Sequence, residues 1–227
     1  MYTIFGAFVG VQIRNLCAQE SAQESTKLGS VRGTVRYVPN PAKSWRLGRY
    51  YIANAKTGEL AEAVVALTGR DLALTSTERE AQTVVVDQKN FQFTPETVAL
   101  RAGDRIRFLN SDDHAHNVRT EHDDQAFNVT MPPGEEHVET FAVGAGINNP
   151  YRIDCVFHSA MRAWVYVFDH PWYQLTAKDG KFELVNIPPG EYRLEVVHPA
   201  GSLRTRQSIV VTAGKTDEVE IKLTMPD

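Results

Sequence analysis

The chain has 227 residues, 42% of them hydrophobic, which suffices for one large or two small cores, and two domains is the expected partition. A formal net charge of -4 gives no overall basic character, which argues against nucleic acid as a partner. No polybasic segment supports a role at a membrane surface.

Taken in chain order, the first element is an apolar run over residues 2–13, followed by Leu16-Cys17-Ala18 and a polar stretch over 19–26. This reads as a secretory signal and polar leader over residues 1–22, cleaved near Ala18 or Ala22, although no Lys or Arg precedes Arg14. The run is too short to span a bilayer, so the mature chain is expected to carry no membrane span. Leu16 is bulky where lipoprotein processing prefers a small residue, which argues against a lipid anchor on Cys17. With Cys17 removed, Cys155 is the one cysteine left, and a lone thiol in an oxidising compartment needs protection of the kind that metal ligation gives.

Beyond the leader the pattern is β almost throughout. Short alternating or β-branched runs occupy 30–38, 63–67, 83–86, 97–100, 105–109, 137–143, 151–155, 163–168, 181–184, 192–197, 208–211 and 219–223, separated by Pro, Gly, Asn and Asp turns. No long amphipathic helix is predicted. Many short strands at close spacing imply β-sandwiches. Lys178-Asp179-Gly180-Lys181 is read as a tight hairpin, and Pro188-Pro189-Gly190 as a turn into the next strand.

The chemistry concentrates between residues 84 and 168, which hold Cys155 and five of the seven histidines, His114, His116, His122, His137 and His158. The run Cys155-Val156-Phe157-His158-Ser159-Ala160-Met161 puts a thiolate, an imidazole and a thioether on one short loop, and His116 offers a second imidazole upstream. Two His, one Cys and a weak axial Met form the ligand set of a mononuclear blue-copper site. His114 competes with His116 for the first position. His122, His137, His170 and His198 read singly as structural. No C-x-x-C, G-x-S-x-G, H-E-x-x-H or phosphate-binding glycine loop is present, so hydrolytic and nucleotide chemistry have no residues to use.

Two resemblances organise these elements. Asn90-Phe91-Gln92-Phe93-Thr94-Pro95, Ala102-Gly103-Asp104, Asn110 and His116-Asn117-Val118, with the C-x2-H-x2-M loop, resemble the cupredoxins of the plastocyanin and amicyanin type. That resemblance implies a type 1 copper site of His116, Cys155, His158 and Met161, with His116 preferred to His114 because the H-N-V continuation matches. It also implies a residue after His116 whose backbone N–H contacts the Cys sulfur. Gly33-Thr34-Val35, Thr57-Gly58-Glu59-Leu60-Ala61-Glu62-Ala63-Val64, Asp179-Gly180-Lys181-Phe182 and Pro188-Pro189-Gly190-Glu191-Tyr192-Arg193-Leu194 resemble the carboxypeptidase-regulatory-like, transthyretin-like sandwich.

The expected fold is therefore all-β, a Greek-key cupredoxin sandwich over 84–169 inserted into a split sandwich formed by 28–83 and 170–226. The implied function is an exported electron carrier with one copper per chain, periplasmic or at the cell surface, not itself an enzyme. Its expected partner is a redox protein such as a c-type cytochrome or a periplasmic oxidoreductase. Asp112, Asp113, Glu121, Asp123 and Asp124 cluster in sequence near the first ligand and offer an acidic docking surface; Phe157 and Met131-Pro132-Pro133 offer an apolar rim. The rival readings are a copper carrier or sensor, and a carbohydrate- or protein-binding module with a vestigial copper site, for which Trp45, Tyr50, Tyr51, Trp172 and Tyr173 would supply aromatic contacts.

Overall fold

The computed structural model describes residues 27–38, 42, 52, 54, 56–69, 72, 79–201 and 203–224. The signal-like segment, Cys17, Trp45, Tyr50 and Tyr51 lie outside the described residues. Strands follow one another as β1 (Gly29–Tyr37), β2 (Val64–Thr68), β3 (Thr83–Lys89), β4 (Gln92–Thr94), β5 (Thr97–Arg101), β6 (Arg105–Asn110), β7 (His116–His122) and β8 (Gln125–Met131). They continue as β9 (Glu136–Thr140), β10 (Tyr151–Asp154), β11 (Arg162–Phe168), β12 (Tyr173–Leu175), β13 (Lys181–Ile187), β14 (Gly190–His198), β15 (Leu203–Val211) and β16 (Thr216–Leu223). Among the described residues there is no α-helix, only short 3-10 turns such as Pro199–Gly201.

The strands form two sandwiches. β3 to β11 make a four-stranded sheet in the order β4-β3-β6-β9 and a five-stranded sheet in the order β5-β11-β10-β7-β8. β1, β2 and β12 to β16, which flank them in sequence, make sheets in the orders β13-β1-β16 and β12-β2-β14-β15. The central sandwich is thus inserted between β2 and β12 of the outer one. Each has its own apolar core: Phe108, Ile106, Phe141, Tyr151 and Cys155 belong to the central core, and Val35, Leu60, Leu67, Leu194 and Ile221 to the outer one. Period-2 patterning accounts for this arrangement, since Ile106, Phe108 and Asn110 of β6 point inward while Arg105 and Arg107 face water.

A third cluster joins the two. Ile147, Tyr166 and Phe168 of the central sandwich pack with Val64 and Ala66 of β2 and Val197 of β14. Phe168 stacks on Tyr173 at 4.5 Å, and burial pushes the Tyr166 and Tyr173 phenols up to about 12. Asp104, buried at the β5–β6 turn, accepts the Gln82 N–H (2.7 Å) and the Arg101 N–H (2.9 Å) and pairs with Arg79 (2.8 Å). It thereby pins the chain where it enters the insertion.

Strands β4, β7, β8 and β12 are absent from the sequence reading. β7 is rich in His, Asn, Arg, Thr and Glu, so its apolar alternation is weak and its pairing comes from the sheet rather than from propensity, whereas β8 does alternate, with Phe127, Val129 and Met131 on one face. The turn at Asp179-Gly180 forms with Gly180 at φ 73°, but the strand before it, β12, pairs with β2 and not with β13. It is a crossing between sheets rather than a hairpin.

Candidate metal centre

The loop between β6 and β7 is organised by Asn110, whose side-chain amide donates to the His114 carbonyl (2.9 Å) and the Met131 carbonyl (2.8 Å) while its oxygen accepts the Asp112 N–H (3.1 Å). This sets His116 at the first position of β7, where its side chain is fully buried. The loop after β10 folds back on itself: the Met161 N–H donates to the His158 carbonyl (2.9 Å) and the Cys155 N–H to the Met161 carbonyl (3.3 Å). A closure of this kind, over the seven residues from Cys155 to Met161, presents Cys155, His158 and Met161 at one end of the sandwich.

The two loops converge. One ligand atom each of His116, Cys155 and His158 lies within 4.8 Å of the others. The His116 and His158 Nδ1 atoms face each other at 3.1 Å, and Cys155 Sγ is 3.6 Å from His158 Nδ1. Cys155 and Met161 are buried members of the same core cluster, and His158 is half-buried. A thiolate with two imidazoles and a nearby thioether suits copper and, by donor softness, zinc; these residues fit a mononuclear site.

His116 Nε2 lies 2.7 Å from Asp112 Oδ2. An ionised carboxylate only accepts, so the proton sits on Nε2 and the inward Nδ1 is bare. Burial pushes the Asp112 carboxyl up, but the Phe91 N–H, the His116 ring and the Asn90 N–H outweigh it and hold the group below its ordinary range. Neither Asp112 nor Phe91 was singled out by sequence for this role. The signal that could have found Asp112 is its position four residues before His116 in a loop.

His114 is 57% exposed in its side chain, pairs with Asp113 and stands outside the cluster. Asn117 meets the sulfur loop through its side chain, with Val156 N–H donating to Oδ1 (3.3 Å). The acidic group is dispersed: Asp112 turns inward and Asp113 pairs with His114, while Glu121 lies near the far end of β7 and Asp123 and Asp124 in the turn beyond it, about 20 Å from His116. Met131 is buried opposite His116 and accepts a hydrogen bond from Gln88 Nε2 (3.1 Å), so it is not part of a rim. Phe157 is exposed, at 53%. Trp172 is buried against His170, and Tyr173 packs on Phe168, which removes both from any aromatic binding platform.

A groove of about 850 Å³ crosses the outer face of β1, β13 and β16. Within it Arg32 pairs with Glu218, Arg36 with Glu220 and with Glu59, and Lys181 with Asp179, and Glu183 adds a fourth lining carboxylate to the three lining cations.

Comparison with known proteins decides the family of the inserted unit. Residues 80–168 match the model of copper binding proteins of the plastocyanin/azurin family. The central sandwich is a cupredoxin domain. Residues 163–224 match the carboxypeptidase regulatory-like domain, so the cupredoxin is housed in a sandwich of that type. The second match starts within β11, which pairs with β5 and β10 of the cupredoxin sheet, and lacks β1 and β2, which the insertion separates from the rest. Among solved structures the chain is similar to an amicyanin mutant in the Cu(I) form, at 18% identity over 45% of this chain and 97% of that one, with a TM-score of 0.34. It is similar as well to a purple cupredoxin from Nitrosopumilus maritimus, at 18% identity over 39% and 99%, with a TM-score of 0.31. A Cu-containing nitrite reductase from Thermus scotoductus SA-01 matches at 19% identity over 44% of this chain and 27% of that one, with a TM-score of 0.36. No curated protein matches the chain. No helix among the described residues is long and apolar enough to cross a membrane.

Proposed function

We propose that this chain is an exported electron carrier holding one type 1 copper through His116, Cys155, His158 and Met161. The observation that carries the reading is the convergence of the Cys155 thiol and the His158 Nδ1 of one loop with the His116 Nδ1 at the start of β7, in a copper-binding domain. Bound there, copper would gain and lose a single electron, with the soft sulfur favouring Cu(I) and the imidazoles serving both states.

The residues supply what such a carrier needs. Cys155 and Met161 come from one hydrogen-bonded loop and His116 from a sheet, so the donors are held by backbone that does not have to rearrange between oxidation states. Burial of His116 and Cys155 keeps water from the metal position. His158, half-buried beside the exposed Phe157, lies on the path to a docked redox protein such as a c-type cytochrome or a periplasmic oxidoreductase. Residues 84–169 form the copper-binding unit, and 28–83 with 170–226 form its host. A periplasmic or cell-surface location follows from the signal-like leader and from Cys155 being protected by metal.

The test is a visible spectrum of the purified chain after addition of Cu(II), followed by stopped-flow oxidation of the reduced form by a c-type cytochrome. An intense thiolate-to-copper band with rapid, reversible electron exchange is expected. A colourless chain refutes the type 1 site, and a coloured chain that gives up copper to a mild chelator within seconds supports a copper carrier instead.

A further inference from the structure

The turn joining β3 to β4 consists of two residues, Asn90 and Phe91, with Lys89 paired to Gln92 across it. Both have positive φ, 54° and 58°. Two consecutive left-handed residues make the mirror-image turn that twisted hairpins favour, in which glycine is the usual second residue. A bulky aromatic in that position needs a reason and a restraint.

Asp112 is the restraint. Its Oδ1 accepts the Asn90 N–H at 2.6 Å and its Oδ2 the Phe91 N–H at 2.9 Å. The same Oδ2 accepts His116 Nε2–H at 2.7 Å. One carboxylate thus holds two turn amides from the four-stranded sheet and an imidazole from the five-stranded sheet. The position of the Phe91 ring supplies the reason. Although 42% exposed, it meets His116 edge-on at 5.4 Å and His158 edge-on at 4.9 Å, and lies 5.1 Å from His114. His158 is the half-buried member of the cluster, and its other aromatic neighbour on the loop, Phe157, is 6.5 Å away and more exposed.

We propose that Asp112 is a positioning residue for the metal centre, a clamp that fixes His116 with its proton on Nε2 and Nδ1 bare, and locks the Asn90-Phe91 turn so that the Phe91 ring caps both imidazoles. The use of the clamp rests on the copper reading above; its geometry does not. Outer partners that orient a ligating imidazole commonly govern metal affinity by 10–100-fold, and here the same partner also limits the freedom of the outer His158 ring through Phe91.

The experiment uses the full chain in two states. In the metal-free protein at about pH 8, where an unperturbed imidazole is neutral, ring-nitrogen NMR should show His116 as the Nε2–H tautomer, and Asp112→Ala should convert it to a mixture. In the Cu(II)-loaded protein, Asp112→Ala should release copper to excess EDTA about 10–100-fold faster than the parent, with Asp112→Asn intermediate because it retains one acceptor oxygen. Phe91→Gly separates the cap from stability. Glycine suits the left-handed backbone, so the apo melting temperature should hold or rise while copper release accelerates several-fold. A parent His116 in the Nδ1–H form, an unchanged tautomer in Asp112→Ala, or release rates within twofold of the parent in both Asp112→Ala and Phe91→Gly would overturn the clamp. A parent that binds no copper refutes the copper reading alone, and the tautomer measurement still decides whether Asp112 fixes His116.

Discussion

His170 sits where the chain leaves the cupredoxin sandwich, only 8% exposed, stacked on Trp172 and close to Phe168. Its Nδ1 accepts the Trp172 N–H at 3.2 Å, which requires that nitrogen to be bare. Burial, with the Arg101 charge adding to it and a hydrogen bond to the Leu67 backbone opposing it, pushes the imidazole down from 6.5 to about 4. The unfolded chain takes up a proton near pH 6.5 that the folded chain refuses until about pH 4, so the stability associated with neutral His170 is present above pH 6.5 and is lost as the pH falls through that window. Weighing the two titrations gives a loss of about 2 kcal/mol between pH 7 and pH 5. Urea unfolding of the metal-free chain at both pH values measures it, with His170→Gln as the control that cannot titrate. The acid-induced loss should be about 2 kcal/mol smaller in His170→Gln than in the parent, whatever the variant does to stability at pH 7. Equal losses in the two proteins would refute the assignment of a neutral, buried His170.

Cys155→Ser should abolish the visible band while far-ultraviolet circular dichroism remains that of a folded β protein, because the band needs the sulfur and the strands do not. His116→Ala should weaken Cu(II) binding in a titration much more than His114→Ala, since only His116 belongs to the buried cluster. Gly180→Ala should lower the unfolding free energy by at least about 1–2 kcal/mol from the left-handed backbone alone, and a Cβ would meet the Val35 carbonyl oxygen at 2.5 Å; a thermal melt unchanged from the parent would contradict this. Residues 84–169 expressed alone should fold and take up copper, because their core cluster is separate from that of the outer sandwich; a segment that stays unfolded with copper present would exclude an independent domain.

Much of this molecule could be read from its residues because the relevant signals are local. The strand runs at 105–109 and 163–168 carry clear alternation or β-branching, and C-x2-H-x2-M fixes three donors on one loop by spacing alone. What escaped was set by pairing at a distance. β7 is polar on nearly every residue and becomes a strand because β8 and β10 pair with it. The acidic residues near His116 in sequence are carried apart by that strand, and sequence proximity gave no hint of it. Phe91 and Asp112 are separated by β4, β5 and β6 in the chain, and it is the parallel pairing of β3 with β6, Gln88 opposite Asn110, that brings the β3–β4 turn beside the loop following β6. Trp172, one of the aromatics a binding surface would have used, instead fills the outer core and donates its indole N–H to the Asn186 carbonyl (3.2 Å).

An insertion anchored at both ends makes the host sandwich sensitive to a ligand that it does not touch. While the cupredoxin is folded, the host connects β2 to β12 across a short gap; when the cupredoxin unfolds, that gap becomes a floppy loop of roughly 90 residues. Closing a loop costs about 0.6 kcal/mol for each doubling of its length, so growth from a few residues to roughly 90, about five doublings, weakens the host by ~3 kcal/mol. Copper, by keeping the insertion folded, would therefore protect β1, β2 and β12 to β16 from unfolding and from proteases. Loss of the metal would then mark the entire chain for removal, and not the redox unit alone.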